Sequence, residues 1–387
     1  MKKNKKINKK FSNILNNIVI NLDKSKNAFN SLSNQFKLSC KLKDLNKFKR
    51  FNTVVVIGMG GSILGAEAIY HFLKKKIKKE FLFLNNIDEE ELKEIKDKKN
   101  LNKILFIIIS KSGNTVETLS NIRALKIIKK GSKNIIIISE KKQNPLYLLA
   151  KKMKLFHIEH KSYIGGRYSV LSEVGLVPAY LMGVNVLRLR KNLLNHFSGK
   201  NKIYLQDNST KLARILQKKK FKTLIFFNYV PQLNKFLYWN QQLIAESLGK
   251  KGKGFLPIIS PAPKDHHSLL QLYLDGPEDK LFYVFGTDIG NKEKLNSNFL
   301  DKKLDFLNNK SLSQIKTAQK NAFLKSLKKK RIPFREFKIR DFSEKVLGEL
   351  FSYFILETAI VGKLININPF DQPAVEEVKI NTKRILS

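Results

Sequence analysis

The chain has 387 residues and carries 74 Lys and Arg against 32 Asp and Glu, a formal net charge of +42. That length and its 42% hydrophobic content suit two or three domains with a sizeable core, and they exclude a disordered acidic protein, a collagen-like chain and a disulfide scaffold. Only ten of the basic residues are Arg and 64 are Lys; proteins that grip phosphate backbones favour the planar Arg fork, so the charge reads as a coding bias shared with Asn, Ile and Phe.

In chain order, residues 1–50 read as a charged N-terminal region with one or two amphipathic helices. Phe11, Ile14, Leu15, Ile18 and Leu22 have helical spacing there. Thr53–Ile57 is a β-branched run that ends in Gly58-Met59-Gly60-Gly61-Ser62, before a helix-like stretch over Gly65–Lys76. Lys103–Ile109 is a second buried strand, followed by a Ser/Thr/Gly loop and a helix over 117–130. Asn134–Ser139 and Leu155–Glu159 are a third and a fourth. Continuous apolar strands alternating with helices predict a parallel sheet covered on both faces. The polar, Lys-rich stretch 190–220 reads as a helical link. A second round follows: strand Thr223–Asn228, helix Leu233–Leu248, strand Leu281–Phe285, helix Leu312–Lys328, strand Phe334–Ile339 and a long helix over Phe342–Gly362. The predicted fold class is therefore α/β, with two parallel-sheet domains and helices on both faces.

The single Cys40 cannot close an internal disulfide, and no Cys/His cluster has zinc-ligand spacing. No apolar run reaches the roughly 18 residues of a membrane span. The basic stretch Met1–Lys10 is followed by a segment broken by Ser, Asn and Asp with no small-residue cleavage site. A cytoplasmic location, with neither membrane nor nucleic acid as partner, is the expectation.

Open α/β sheets bind ligands outside the carboxyl ends of their strands. The loop Ser110-Lys111-Ser112-Gly113-Asn114-Thr115-Val116-Glu117-Thr118 places four hydroxyls where a helix begins, a setting suited to a phosphate dianion. It has no Gly-Lys-Ser/Thr step of a nucleotide-triphosphate loop. Gly165-Gly166-Arg167-Tyr168-Ser169 sets a scarce Arg after two glycines, as for a fixed cation beside a developing oxyanion. Gln242 and Glu246, four apart in a predicted helix, share one face. Asp265-His266-His267-Ser268 offers a group able to shuttle protons near neutral pH. Phe370-Asp371-Gln372-Pro373 marks a turn before a short C-terminal helix carrying Lys379.

Taken together and in this order, these segments resemble the phosphoglucose isomerase family over residues 50–380. The most specific are Gly165–Ser172 and Phe370-Asp371-Gln372 followed by Val375-Glu376 and Lys379. The resemblance implies two sugar-isomerase (SIS) domains of flavodoxin-like topology. Their expected bounds are 41–185 and 186–365, with a basic helical extension over 1–40 and a helical C-terminal segment over 366–387. It implies reversible conversion of glucose 6-phosphate to fructose 6-phosphate through a cis-enediolate, with no cofactor and no metal. It implies catalytic roles for Glu246 as base, Arg167 as stabiliser of the enediolate, and His267 and Lys379 in ring opening. Gly61, Ser62, Gln242 and Gln372 would line the sugar, and Ser110, Ser112, Thr115 and Thr118 would hold the phosphate. It further implies a homodimer whose histidine reaches the neighbouring subunit's site. Asn114 and Val116 depart from the family's preference for Thr in the phosphate loop, and Leu248 stands where a polar residue is commoner.

Overall fold

The computed structural model describes residues 2–98, 100–291, 293–295 and 302–387; Met1, the start of the basic stretch, lies outside them. The elements in chain order begin with α1 (Lys2–Asn21), β1 (Thr53–Ile57), α2 (Leu64–Phe72), β2 (Glu80–Leu84), α3 (Glu89–Lys96), β3 (Ile104–Ile109) and α4 (Val116–Leu125). They continue with β4 (Ile135–Ser139), α5 (Pro145–Lys152), β5 (Phe156–Glu159), α6 (Glu173–Leu181), α7 (Val186–Arg190), α8 (Gly199–Lys218), β6 (Thr223–Asn228), α9 (Asn234–Leu248) and β7 (Leu256–Pro261). Last come α10 (Leu270–Asp275), β8 (Lys280–Thr287), α11 (Leu312–Lys329), β9 (Phe334–Ile339), α12 (Glu344–Leu364) and α13 (Ala374–Leu386).

The strands form two all-parallel sheets, in the orders β2-β1-β3-β4-β5 and β7-β6-β8-β9. Each is doubly wound, and its strand order reverses beside its first strand, which creates a crevice there. The strands are apolar on both faces because both faces are covered. Val54, Val56, Leu105, Ile107 and Ile109 point into one core, while Val55, Ile57, Phe106 and Ile108 point into another, under α3, α4 and α5. In the second sheet Leu224 and Phe226 enter the first of these cores, whereas Ile225 and Phe227 pack with Phe323 and Leu327 of α11. One apolar layer thus serves both sheets, and α2, α6, α9 and α12 are embedded in it. That shared layer fixes the two sheets against each other and places their loops side by side.

Two strands escape the sequence pattern, β2 and β7. Both are edge strands, and β7 contains Pro257 and Pro261, which a ladder tolerates only at an edge. The stretch 190–220, expected to be helical, holds the 20-residue α8, packed along α12. The N-terminal region is no loose extension. Phe11, Leu15, Ile18 and Leu22 of α1 and its exit are buried in the common layer against α8 and α12. The Lys10 ammonium also donates to the Leu364 carbonyl at 2.9 Å and to Asn366 Oδ1 at 2.7 Å. The lysines of this helix lie in its first turns, and the apolar stripe of helical spacing does the packing.

Phe11 is fully buried, and replacing a buried Phe by Ala typically costs about 3–5 kcal/mol. F11A is therefore expected to lose stability on that scale in urea unfolding, whereas a change within about 0.5 kcal/mol is what a dispensable surface tail would give.

Candidate active site

The register that pairs Ile57 with Ile108 sets the ends of β1 and β3 next to each other. The loops that follow them, Gly58–Ser62 and Ser110–Thr115, are therefore neighbours at the crevice of the first sheet. In the second loop the Ser110 and Thr115 hydroxyls are 2.8 Å apart, and the Gly113 N–H donates to Ser110 Oγ at 3.1 Å. Thr115 occupies the N-cap position of α4, and Ser112 is exposed at the rim. Thr118, one turn into α4, is fully buried, and its hydroxyl has no hydrogen-bond partner among the described residues. A buried hydroxyl left without a partner costs free energy, and a phosphate at this helix start would supply one. Lys111 leans aside, donating to the Ser162 carbonyl at 2.7 Å, and burial holds its ammonium below the ordinary lysine range.

Gly61 settles where the third element of the site stands. A Cβ added there would lie 2.2 Å from the Gly166 carbonyl carbon and 2.5 Å from the Arg167 nitrogen. The two backbones touch, and Ser169 Oγ clips them together by donating to the Gly166 carbonyl at 2.6 Å and the Gly61 carbonyl at 3.3 Å. Ser62 follows Gly61 in the same short turn. The expected sugar-lining role of Gly61 thus has a packing reason beneath it. Gly60, at φ +51°, lies against the Gln242 amide, which leaves no room for a side chain.

Arg167 is 3% exposed, so it is no surface cation. Its Nε donates to Ser247 Oγ at 2.8 Å, Nη1 to Glu246 Oε2 at 3.1 Å and Gln372 Oε1 at 2.8 Å, and Nη2 to the carbonyls of Pro369 at 2.7 Å and Asp371 at 2.9 Å. A guanidinium has five N–H donors, and all are used. Glu246 stands near the C-terminal end of α9 with 28% of its side chain exposed, reachable from the crevice. Its other oxygen, Oε1, accepts from Gln242 Nε2 at 3.0 Å, so the shared helical face expected for these two residues is realised. The Gln242 Oε1 is buried and unpartnered among the described residues. Tyr168, whose hydroxyl burial pushes up, joins Ser247 Oγ at 2.9 Å and the Pro369 carbonyl at 3.1 Å, and completes the floor. Ser247, Tyr168 and the carbonyls of 369–371 were not among the residues expected from sequence; backbone acceptors carry no side-chain signal to find.

Arg167, Glu246, Gln242, Gln372 and Gly61 are brought together within the chain, beside the hydroxyl loop. His267 and Lys379 are not. Glu246 closes a helix that runs back from the carboxyl end of β6, so it sits near the amino ends of the second sheet. His267 follows β7 and so lies at the carboxyl ends, the opposite end of that sheet. It is exposed, while its neighbour His266 is held below the usual histidine range by burial beside Tyr229, whose hydroxyl is 2.6 Å away. Lys379 lies on α13, a helix with no buried residue, and its ammonium pairs with Glu376 at 2.7 Å. No cluster of three or more metal-ligating side chains occurs among the described residues, and no helix among them is long and apolar enough to cross a membrane.

The architecture is that of the doubly wound, two-sheet sugar-isomerase fold. It superposes on a hypothetical protein from Thermus thermophilus with a TM-score of 0.83 at 24% identity, covering 97% of this chain and 94% of the other. A glucose-6-phosphate isomerase from Chlamydia trachomatis matches with a TM-score of 0.75 at 20% identity, over 90% of this chain and 72% of that one. The sequence profile of the family described as phosphoglucose isomerase matches residues 3–387. A glucose-6-phosphate isomerase from Methanocaldococcus jannaschii is 33% identical over 385 residues, spanning 95% of this chain and 92% of the relative. The chain belongs to the phosphoglucose isomerase family, and it is an isomerase.

The contact between Gly61 and Gly166 predicts a specific vulnerability. G61A must push apart the turn that carries Arg167, and overpacking of this kind costs about 1–3 kcal/mol. A lowered melting temperature together with a loss of turnover is expected; a G61A protein equal to wild type in both would contradict the close approach.

Proposed function

We propose that this chain interconverts glucose 6-phosphate and fructose 6-phosphate, with Glu246 as the base that moves a proton between C2 and C1. The observation that carries the reading is the buried Arg167 guanidinium 3.1 Å from a solvent-reachable carboxylate at the mouth of a hydroxyl-lined crevice. Ser110, Ser112, Thr115 and Thr118 hold the phosphate, helped by the positive end of α4. The Gln242 bond to Oε1 and the Arg167 bond to Oε2 fix the plane of the Glu246 carboxylate. Glu246 takes the C2 proton of the open-chain aldose; the electron pair left on carbon moves into the C1–C2 bond and the carbonyl pair moves onto O1. Arg167 faces the resulting enediolate and stabilises its charge without giving up a proton. The O2 hydroxyl proton then passes to O1; as the O2 electron pair forms the carbonyl at C2, the C1–C2 double-bond pair takes the proton back from Glu246 at C1. A positioned base contributes typically about 10²–10⁴ in rate. Gln372, held by the same Nη1 at 2.8 Å, lines the sugar with Gly61, Ser62 and Gln242.

Ring opening requires a proton shuttle beside the sugar, and within one chain His267 lies at the opposite end of the second sheet from Glu246. The reading supported by this separation is a homodimer in which His267 enters the other subunit's site and Lys379 of α13 assists.

Purified protein is expected to form glucose 6-phosphate from fructose 6-phosphate in an assay coupled to a dehydrogenase. E246Q is expected to lose at least 10²-fold in turnover while still binding inorganic phosphate; turnover like wild type would remove Glu246 as the base. Subunit sharing has its own test. E246Q and H267A are each expected to be nearly inactive alone. Co-expressed, they should recover about a quarter of wild-type activity, since random pairing makes half the dimers mixed and each mixed dimer has one intact site. No recovery would place both residues in one chain's site.

A further inference from the structure

Immediately beyond the helix that carries Glu246, Lys250 turns its side chain inward, 12% exposed, against the turn 368–371. Its ammonium donates to the Asn368 carbonyl at 2.6 Å, the Asp371 carbonyl at 2.6 Å and Asp371 Oδ1 at 2.5 Å. An ammonium has three donors, and all three are spent on this one turn. The Asp371 carboxylate is thereby held below its usual range, chiefly by the hydrogen bond from Lys250. Its second oxygen accepts from Asn368 Nδ2 at 3.0 Å, which closes the turn on itself.

The Asp371 carbonyl is also one of the two that receive Arg167 Nη2, at 2.9 Å. Lys250 and Arg167 therefore share an acceptor, and the next residue, Gln372, accepts from Arg167 Nη1. We infer that Lys250 is a positioning residue for the isomerisation: it locks the 368–371 turn so that Arg167 and Gln372 face the enediolate in register with Glu246. The inference rests on the isomerase reading above and adds to it a residue that touches neither sugar nor phosphate. A lone ammonium near the surface is usually worth little. This one is different because its acceptors are the carbonyls that orient a buried guanidinium.

The mechanism predicts damage confined to one half of the site. The phosphate loop stands on the first sheet, away from the turn, whereas the enediolate half depends on it. K250M is measured beside wild type for kcat and KM with fructose 6-phosphate. Inhibition constants are taken for inorganic phosphate and for a five-carbon sugar-acid phosphate, whose carboxylate mimics the enediolate. Expected are a kcat lowered at least tenfold, a KM changed less than threefold, a mimic bound at least tenfold more weakly and phosphate bound within twofold of wild type. A kcat within twofold of wild type overturns the inference. So does a loss of phosphate affinity as large as that of the mimic, which would indicate general damage. Should K250M fail to fold, D371N takes its place, since that carboxylate is 51% exposed; a mimic affinity lowered at least threefold is expected, and an unchanged one overturns the inference. Inactive wild type overturns the isomerase reading itself, while active wild type with an unaffected K250M overturns only the role of Lys250.

Discussion

The saturation of one guanidinium holds the site together. Arg167 reaches from the first sheet's loops to a hydroxyl and a carboxylate on α9, to an amide at 372 and to two backbone carbonyls in the turn before α13. A buried Arg with unmet donors would be costly, so each acceptor has to be where it is for the cation to be tolerated at all. The converse also holds: with no donor to spare, a substrate oxygen engages Arg167 only by sharing or replacing an existing bond. The Glu246 contact is the longest of the five, at 3.1 Å, and it leads to the exposed side of the cluster.

The basic composition takes on a different character once its contacts are mapped. Around the end of α12 the lysines act as donors to backbone carbonyls. Lys10 serves Leu364, Lys253 serves Ile365 at 3.0 Å, and Lys250 serves Asn368 and Asp371. The last carbonyls of a helix lack intrahelical partners and carry partial negative charge, so cations gather there with good reason. These few are structural parts, set among many solvated lysines. A basic exterior still attracts anionic sugar phosphates, in a general way that salt screens.

The sequence disclosed what depends on local pattern. The buried strands β1, β3, β4 and β6, with their continuous apolar runs, are plain because each fills both faces. The hydroxyl loop and the two glycines before Arg167 are plain because their residue types are unusual in this chain. The edge strands β2 and β7 were hidden, one by its brevity and charged flank, the other by its prolines. The stripe of α1 was legible in its spacing, but its partners α8 and α12, nearly 200 residues away or more, were not. Within the site, the Gln242–Glu246 pairing followed from helical spacing. What no pattern could reveal was the acceptor set of Arg167, two of whose five members are backbone carbonyls more than 200 residues later in the chain. The separation of His267 from Glu246 likewise appears only when the direction of α9 relative to its sheet is known.

The bond from Lys10 to the Leu364 carbonyl spans 354 positions. At a synthesis rate of about 5–20 residues per second, α1 exists for roughly 18–70 seconds before its partner α12 has been made. Through that interval Phe11, Leu15 and Ile18 lack the part of their native surface that α12 supplies. The first helix of the fold thus reaches its full burial only near the end of synthesis.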